Sequence, residues 1–169
     1  HHFKVGASGI IDGFNDRHYS GRRPNGIYIP RFRNLDKKTE QKNYVRGFGY
    51  QGSASRSDWA RGIGEFGKFG ANFKADIIEP GPWRMGIGSW AEHLPYHENK
   101  MTLNYELRDK WGQPTLDFDC EFKENEREMR KDMKASAVEM LEAAGFKDIY
   151  SYGDDTFSNP GNCIHEMGT

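Results

Sequence analysis

Two stretches of the chain alternate between apolar and polar residues, which is the pattern of a strand with one buried face. The stretch MTLNYEL places apolar residues at Met101, Leu103, Tyr105 and Leu107, and the stretch TLDFDCEF places them at Leu116, Phe118, Cys120 and Phe122. The turn-like sequence RDKWGQP lies between the two stretches. We therefore expect an antiparallel hairpin whose apolar side chains point inward.

A helical period follows this hairpin. Apolar residues recur near one face at the 3.6-residue spacing of a helix: Met129, Met133, Val138, Met140, Leu141 and Ala144. Asn125 and Glu128 match a capping box, which predicts the start of the helix. Gly145 is suited to the position after the last turn and predicts its end. A methionine stripe at this spacing is typical of a core rather than of a soft ligand surface.

The first half of the chain predicts shorter extended elements. Phe3–Ile11 and Ile27–Phe32 are expected strands, the second at a sheet edge or interrupted because Pro30 has no N–H group. The stretch NYVRGFGYQGSASR predicts a strand and then a loop, with one face formed by Tyr44, Arg46, Phe48 and Tyr50. NFKADIIEPG and PWRMGIGSW are expected to be extended and joined by a Pro-Gly turn. Together the elements predict an α+β fold, an antiparallel sheet with one long helix packed on it.

Composition and charge narrow the classes of function. The 169 residues are enough for one domain, and 11 Phe, 8 Tyr and 4 Trp supply much of a core in a chain that is only 36% hydrophobic. The net charge of -1 argues against a nucleic-acid-binding protein, which needs a basic surface. We expect no membrane span and see no signal peptide. Cys120 and Cys163 lack the spacing of a metal site. Two cysteines in a chain of this length do not show whether the protein occupies an oxidising or a reducing compartment, so its localisation stays open.

Three further motifs are only weak indications of a ligand-binding or metal-binding site. GIGEFG at residues 62–67 matches G-x-G-x-x-G but follows the charged RSDWAR rather than a buried strand. His93 and His97 have a zinc-compatible spacing, but Pro95 disfavours the helix that this spacing needs, so a surface loop is expected and no metal. A group of arginines could form an anion clamp, but the acidic residues nearby favour a solvated loop with local ion pairs: Arg22, Arg23, Arg31, Arg33 and Arg46.

His165 follows a break at Pro160 and Gly161, and irregular backbone there can present an imidazole as a general base or hydrogen-bond partner. The residues alone slightly favour a structural histidine over a catalytic one. However, PGNCIHEMGT resembles the H-x-x-G-T motif of the glucose–methanol–choline (GMC) family of flavoprotein oxidoreductases.

Further stretches resemble, in order, the substrate domain of the GMC branch related to pyranose oxidase and to gluconate or fructose dehydrogenases. They are RPNGIYIPRFRN, RGFGYQGSASR, LPYHENKMTLNYELRDKWGQPTLDF and NEREMRKDM. The resemblance covers essentially the whole chain. It implies that residues 1–160 are the substrate-binding domain and that residues 161–169 begin the return to the FAD domain. The fold would then be incomplete without the Rossmann-type FAD domain, which lies outside this chain.

The same resemblance implies a reaction and its residues. Such enzymes oxidise an alcohol, sugar or polyol by hydride transfer to flavin N5, with the histidine at the position of His165 as base. Gly168 and Thr169 would bind the cofactor, and Gln51 would contact the substrate, beside a mobile substrate loop at residues 52–70. The dinucleotide fingerprint and the second active-site His or Asn are missing, so this segment alone is expected to be inactive.

The expected partners are a small-molecule alcohol or sugar, FAD, the remainder of the FAD domain and an electron-acceptor protein. An alternative is a non-catalytic carbohydrate-binding or interaction module. Its binding surface would use the tryptophans at positions 59, 83, 90 and 111.

Overall fold

The computed structural model describes residues 4–13, 26–56, 69–78 and 81–153. These residues form the following elements: β1 (Lys4–Ile11), β2 (Gly26–Ile29), β3 (Phe48–Arg56), α1 (Gly70–Ile78), β4 (Trp83–Ala91), β5 (Lys100–Arg108), β6 (Pro114–Asp119), α2 (Glu124–Ala143) and β7 (Lys147–Tyr152). Five strands form one sheet in the order β2-β3-β4-β1-β7, and β5 pairs with β6 in a second sheet. Every strand pair is antiparallel. The expectation of antiparallel sheet and a long helix is therefore confirmed.

The core lies between the five-stranded sheet and α2. Val5, Tyr50 and Ile87 come from the three inner strands and are almost fully buried against Met129 and Met133 of the helix. The Tyr50 hydroxyl also donates a hydrogen bond of 2.7 Å to the carbonyl of Met133. The core side chains occupy alternate positions along each of these strands, and α2 packs against the face that they form.

The residues predicted to cap the start of α2 are wrong, whereas the residue predicted to end it is correct. The helix begins after Lys123, and Glu126 rather than Glu128 accepts the hydrogen bond from the Lys123 N–H, at 2.9 Å. Asn125 instead accepts a hydrogen bond from the Val45 N–H. Glu126 replaces the predicted pair because it is buried among several donors, whereas the Glu128 carboxylate pairs with Lys131. Gly145 ends the helix as predicted, with a φ of 84° and a hydrogen bond from its N–H to the Glu142 carbonyl.

The hairpin of β5 and β6 forms as predicted, but its apolar face does not enter the core. Leu103 pairs with Leu116 and Met101 pairs with Phe118, yet all four side chains are exposed. Phe122, which follows β6, is buried. The alternation in the sequence identified the strands but could not show whether another element covers them.

Three smaller expectations in the first half are corrected. Residues 70–78 form a helix instead of an extended stretch, because Ala71, Lys74 and Ala75 favour helix more than the following isoleucines favour strand. β3 continues to Arg56, so the first part of the predicted substrate loop is strand. Arg46 is exposed with a φ of 72° and does not share a face with the buried Phe48. β2 is an edge strand that ends just before Pro30, as expected.

Candidate functional site

The sheet has a second face, which points away from α2 and which we call the open face. Among the described elements, α2 is the helix that packs on the sheet, and it lies on the opposite side. The strand register places the open-face residues in rows that cross the sheet. One row contains Tyr28, Gln51, Gly88, Gly6 and Tyr152, and the next contains Gly26, Ser53, Gly86, Ser8 and Tyr150.

Gln51 lies in the first of these rows, with an exposed side chain. Its Cα partner on β2 is Tyr28 and its partner on β4 is Gly88. Neighbouring strands are about 4.8 Å apart, so the amide of Gln51 stands beside the space above Gly88. The structure thus exposes the predicted substrate-contacting residue on a broad surface that no described helix covers.

Three side chains converge on the space above Gly88. A Cβ atom placed on Gly88 would lie 3.0 Å from Tyr152 Oη, 3.3 Å from Lys4 Cε and 3.7 Å from Trp90 Cη2. A Cβ on Gly6 would lie only 2.5 Å from Tyr152 Oη and would also clash with the Ile87 carbonyl. The two glycines therefore allow the tyrosine ring to lie against the sheet. We call this group, Gly6 and Gly88 with Lys4, Trp90 and Tyr152, the glycine cradle.

Tyr152 is the fixed hydroxyl group of the cradle. Its hydroxyl donates a hydrogen bond of 3.1 Å to the carbonyl of Ile87. Burial, with a smaller contribution from Tyr150, raises the pKa of Tyr152 above its ordinary value. The side chain therefore remains a neutral phenol at physiological pH, and its oxygen keeps a lone pair free to accept a hydrogen bond from a ligand.

Lys4 gives the cradle a positive charge. Its Nζ lies 5.6 Å from the centroid of the Trp90 ring, within the range of a cation–π contact. On the open face, strands β1 to β4 carry two cations, Lys4 and Arg84, and no carboxylate. The described open-face residues of these four strands therefore carry a net positive charge.

A separate polar cluster lies on the covered side and ties the loop after β2 to α2. Asp132 accepts hydrogen bonds from Arg33 Nε at 2.8 Å, from Tyr44 Oη at 2.5 Å and from Ser136 Oγ at 2.8 Å. Burial raises the pKa of Asp132, but the hydrogen bonds from these three residues outweigh it, so the pKa is lowered overall. Each member is satisfied within the cluster, which is the character of a structural network rather than of a reactive site.

A second structural cluster surrounds the start of α2. Glu126 is fully buried and accepts hydrogen bonds from the N–H groups of Leu94 and Lys123 and from the hydroxyl of Tyr96. Burial, together with Glu126, raises the pKa of Tyr96 to about 12. This carboxylate therefore fixes the loop that leads from β4 to the hairpin.

The histidine pair lies in a loop, as predicted, and not on the helix that a zinc site of this spacing would need. Residues 92–99 are irregular, as Pro95 suggested. The His93 ring packs on Phe122 with centroids 4.6 Å apart and contacts the Glu121 carbonyl at 3.2 Å. Burial lowers the pKa of His93. The described part of the chain contains no group of three or more side chains arranged to hold a metal ion.

The arginines that lie in the described ranges make local contacts. Arg33 binds Asp132, Arg46 lies 3.9 Å from Glu92, and Arg31 donates to the carbonyl of Arg33 at 2.9 Å. These contacts support the loop interpretation for the three residues. Arg22 and Arg23 lie outside the described residues.

Of the predicted site residues, Gln51 alone falls in the described ranges. His165, Gly168 and Thr169 lie outside the described residues, as do the GIGEFG motif and Cys163. The sequence patterns did not identify Lys4 or Tyr152, and they identified Trp90 only as a candidate sugar-stacking residue. The available signal was the isolated glycines at positions 6 and 88, because a glycine inside a strand often marks a close approach.

The described residues include no helix long and apolar enough to cross a bilayer. The chain matches no protein-family model, no curated protein and no solved structure.

Proposed function

We propose that this chain is the substrate-binding segment of an FAD-dependent oxidoreductase of the GMC type that acts on CH–OH groups. The substrate is an alcohol, sugar or polyol. Residues 1–160 form the substrate-binding domain in this proposal, and residues 161–169 lead back to the FAD domain. The proposal rests on the ordered resemblance of five sequence stretches to that family.

The position of Gln51 is the structural observation that carries the proposal. The resemblance assigns this residue to substrate contact, and its side chain is exposed on the open face beside the glycine cradle. An amide offers both a donor and an acceptor, which suits a substrate hydroxyl. A buried Gln51 on the α2 side would have counted against this assignment.

A protein of this kind needs one part that binds the dinucleotide and another part that faces the flavin ring. The described residues fit only the second of these roles. Binding of the dinucleotide itself requires parallel strands with a glycine-rich turn before a helix, and the described strand pairs are all antiparallel. The open face suits the other role, that of a wall opposite the flavin ring, because Gln51 is exposed there and no described helix packs on it. FAD when bound supplies the hydride acceptor, and the rest of the parent protein would hold it.

In the proposed reaction this chain positions the alcohol and removes its proton. The carbinol carbon loses a hydride and its oxygen loses a proton, which leaves a carbonyl group. His165 accepts that proton, and Gln51 holds a hydroxyl of the substrate by hydrogen bonding. Proton removal by a positioned imidazole accelerates such a step by about 10²- to 10⁴-fold.

The test is the replacement His165→Ala in the full-length parent protein. We expect FAD to remain bound and the rate of flavin reduction by a polyol substrate, followed by absorbance after rapid mixing, to fall at least 100-fold. His97→Ala is the matched control, because His97 is an exposed loop residue outside the strands of the sheet. A reduction rate within threefold of wild type in the His165 variant would contradict the proposal.

A non-catalytic carbohydrate-binding module is the second candidate, and the strongly exposed rings of Tyr28 and Trp111 favour it. The two candidates differ in the behaviour of the 169-residue chain without FAD. Tight binding of neutral sugars by this chain in calorimetry would favour the module. The oxidoreductase proposal expects no tight binding by half of a site.

A further inference from the structure

We propose that the apolar side of the β5–β6 hairpin is a contact surface between two copies of this chain, and that the parent protein forms a dimer through it. We call four residues of this side the hairpin patch: Met101, Leu103, Leu116 and Phe118. The inference concerns assembly and goes beyond the proposed reaction, on which it does not depend.

The first step is that the two sides of the hairpin differ. The hairpin patch consists of two cross-strand pairs, and these alternate along the strands with polar pairs that point the other way. On the polar side Thr102 lies opposite Asp117, and the side-chain amide of Asn104 donates to both oxygens of the Asp117 carboxylate, at 3.0 and 3.1 Å. The polar side is thus suited to water, whereas the patch is not.

The second step is the size of the uncovered surface. The four patch residues are between 39% and 65% exposed, which leaves on the order of 400 Å² of apolar surface, a size that often marks an interaction site. Tyr105 and Leu107 follow on β5, are 64% and 61% exposed, and bring the surface to about 600 Å². Two copies would then bury about 1,200 Å², the lower limit for a specific interface. We therefore expect a reversible dimer with a dissociation constant in the micromolar range.

The third step is that hydrogen bonds hold both ends of the hairpin. At the turn, the Asp109 carboxylate accepts hydrogen bonds of 2.9 Å from the N–H groups of Trp111 and Gln113. At the base, the Asn99 side chain donates to the carbonyl of Glu121 and accepts from its N–H group, both at 3.1 Å. A surface that is presented in one shape loses little conformational freedom when it docks.

The fourth step concerns the partner. The patch contains no charged side chain, so the surface that complements it is another apolar face. Residues 100–119 contain three basic and four acidic residues, a net charge of -1, so two hairpins repel each other only weakly. The other large apolar side chains that are exposed in the described ranges are spread over different elements: Ile27, Tyr28, Leu35, Val45, Phe69, Trp111 and Tyr150. A second copy of the chain supplies a matching face by two-fold symmetry.

The experiment is sedimentation equilibrium of the full-length parent protein from about 0.1 to 100 µM, a range that brackets a micromolar dissociation constant. We expect a monomer–dimer equilibrium that Leu103→Lys weakens at least tenfold. Thr102→Lys is the matched control, because it adds the same charge at the next residue but on the polar side, and it should change the dissociation constant less than threefold. A parent protein that stays monomeric at every concentration would overturn the inference, as would equal effects of the two variants.

The fold of the variant is checked separately. Leu103→Lys should keep the far-UV circular dichroism spectrum of the wild type, since the side chain is exposed. Phe118→Asn makes a milder change in the same patch and should also weaken the dimer. A dimer that persists unchanged in both variants would show that the copies meet through another surface, and the inference would then be wrong.

Hydrogen exchange of the wild-type parent protein provides a test without any substitution. Below the dissociation constant the copies separate, and the hairpin then opens as an uncovered element. We expect exchange of the hairpin amides to slow as the protein concentration rises through the micromolar range. Strong protection that does not depend on concentration would show that another part of the parent chain covers the patch, and would overturn the dimer.

Discussion

At the residue scale, Asp132 shows how a charge on α2 holds a loop that has little secondary structure. Arg33 binds its carboxylate through two nitrogens, at 2.8 and 3.0 Å, and Tyr44 donates its hydroxyl to the same group. Because the Asp132 pKa is lowered in the folded chain despite burial, the folded state favours the ionised form. Its contribution to stability is then present above the unfolded pKa of about 4 and is lost as pH falls through the lower folded value.

We therefore predict that Asp132→Asn lowers the free energy of unfolding by about 1–3 kcal/mol at pH 7, the range for a charged hydrogen-bonding group that loses its charge. The difference from wild type should shrink as the pH falls below about 4, since the wild-type carboxyl is then protonated too. Urea unfolding between pH 2.5 and 7 measures this. Glu139→Gln, on an exposed position of α2, is the control. A difference that stays constant over this pH range would refute the assigned role.

At the element scale, the sequence predicted the existence of α2, its apolar face and its end at Gly145. These features depend on local spacing and on the backbone freedom of one glycine. It did not predict the correct capping residue, because N-x-x-E is matched by Asn125 and Glu128 while the structure uses Glu126. The choice depends on Leu94 and Tyr96, which reach the helix from far along the chain. Contacts of that kind have no local signature.

The capping difference gives a prediction for α2. Glu126→Ala should destabilise the chain by about 2–4 kcal/mol, because each buried donor left without its acceptor costs about 1–3 kcal/mol. Glu128→Ala should change stability by less than about 1 kcal/mol, the usual range for an ion pair with an exposed lysine. Denaturant midpoints of the two variants give the comparison. Similar losses in both variants would mean that helix propensity, and not the buried network, controls this end of the helix.

At the scale of the whole molecule, the sequence indicated the strands but not the surfaces that they form. Gln51 was assigned through a family resemblance, whereas the glycine cradle depends on a register that brings Gly6, Gly88 and Tyr152 into one row from strands far apart in the chain. Alternation likewise predicted an inward face for the hairpin, whose Leu103 is 52% exposed, while Leu141 of α2 is 2% exposed. Sequence periodicity defines the side of a strand, and only the tertiary structure defines what lies against that side.

This distribution of burial predicts two levels of unfolding in the 169-residue chain. The β5–β6 hairpin opens locally, and the sheet with α2 opens only when the whole chain unfolds. An isolated two-stranded hairpin is marginally stable in water, and β5 and β6 make extensive contacts only with each other among the described elements. Native-state hydrogen exchange should therefore show hairpin amides, such as that of Leu103, exchanging at an opening free energy well below the global value. Amides of the central strands, such as that of Ile87, should exchange only by global unfolding. Leu103→Ala should lower global stability by less than about 0.5 kcal/mol, and Leu141→Ala by about 2–5 kcal/mol. Equal protection of Leu103 and Ile87 would show that the apolar face of the hairpin is covered in solution, contrary to this division.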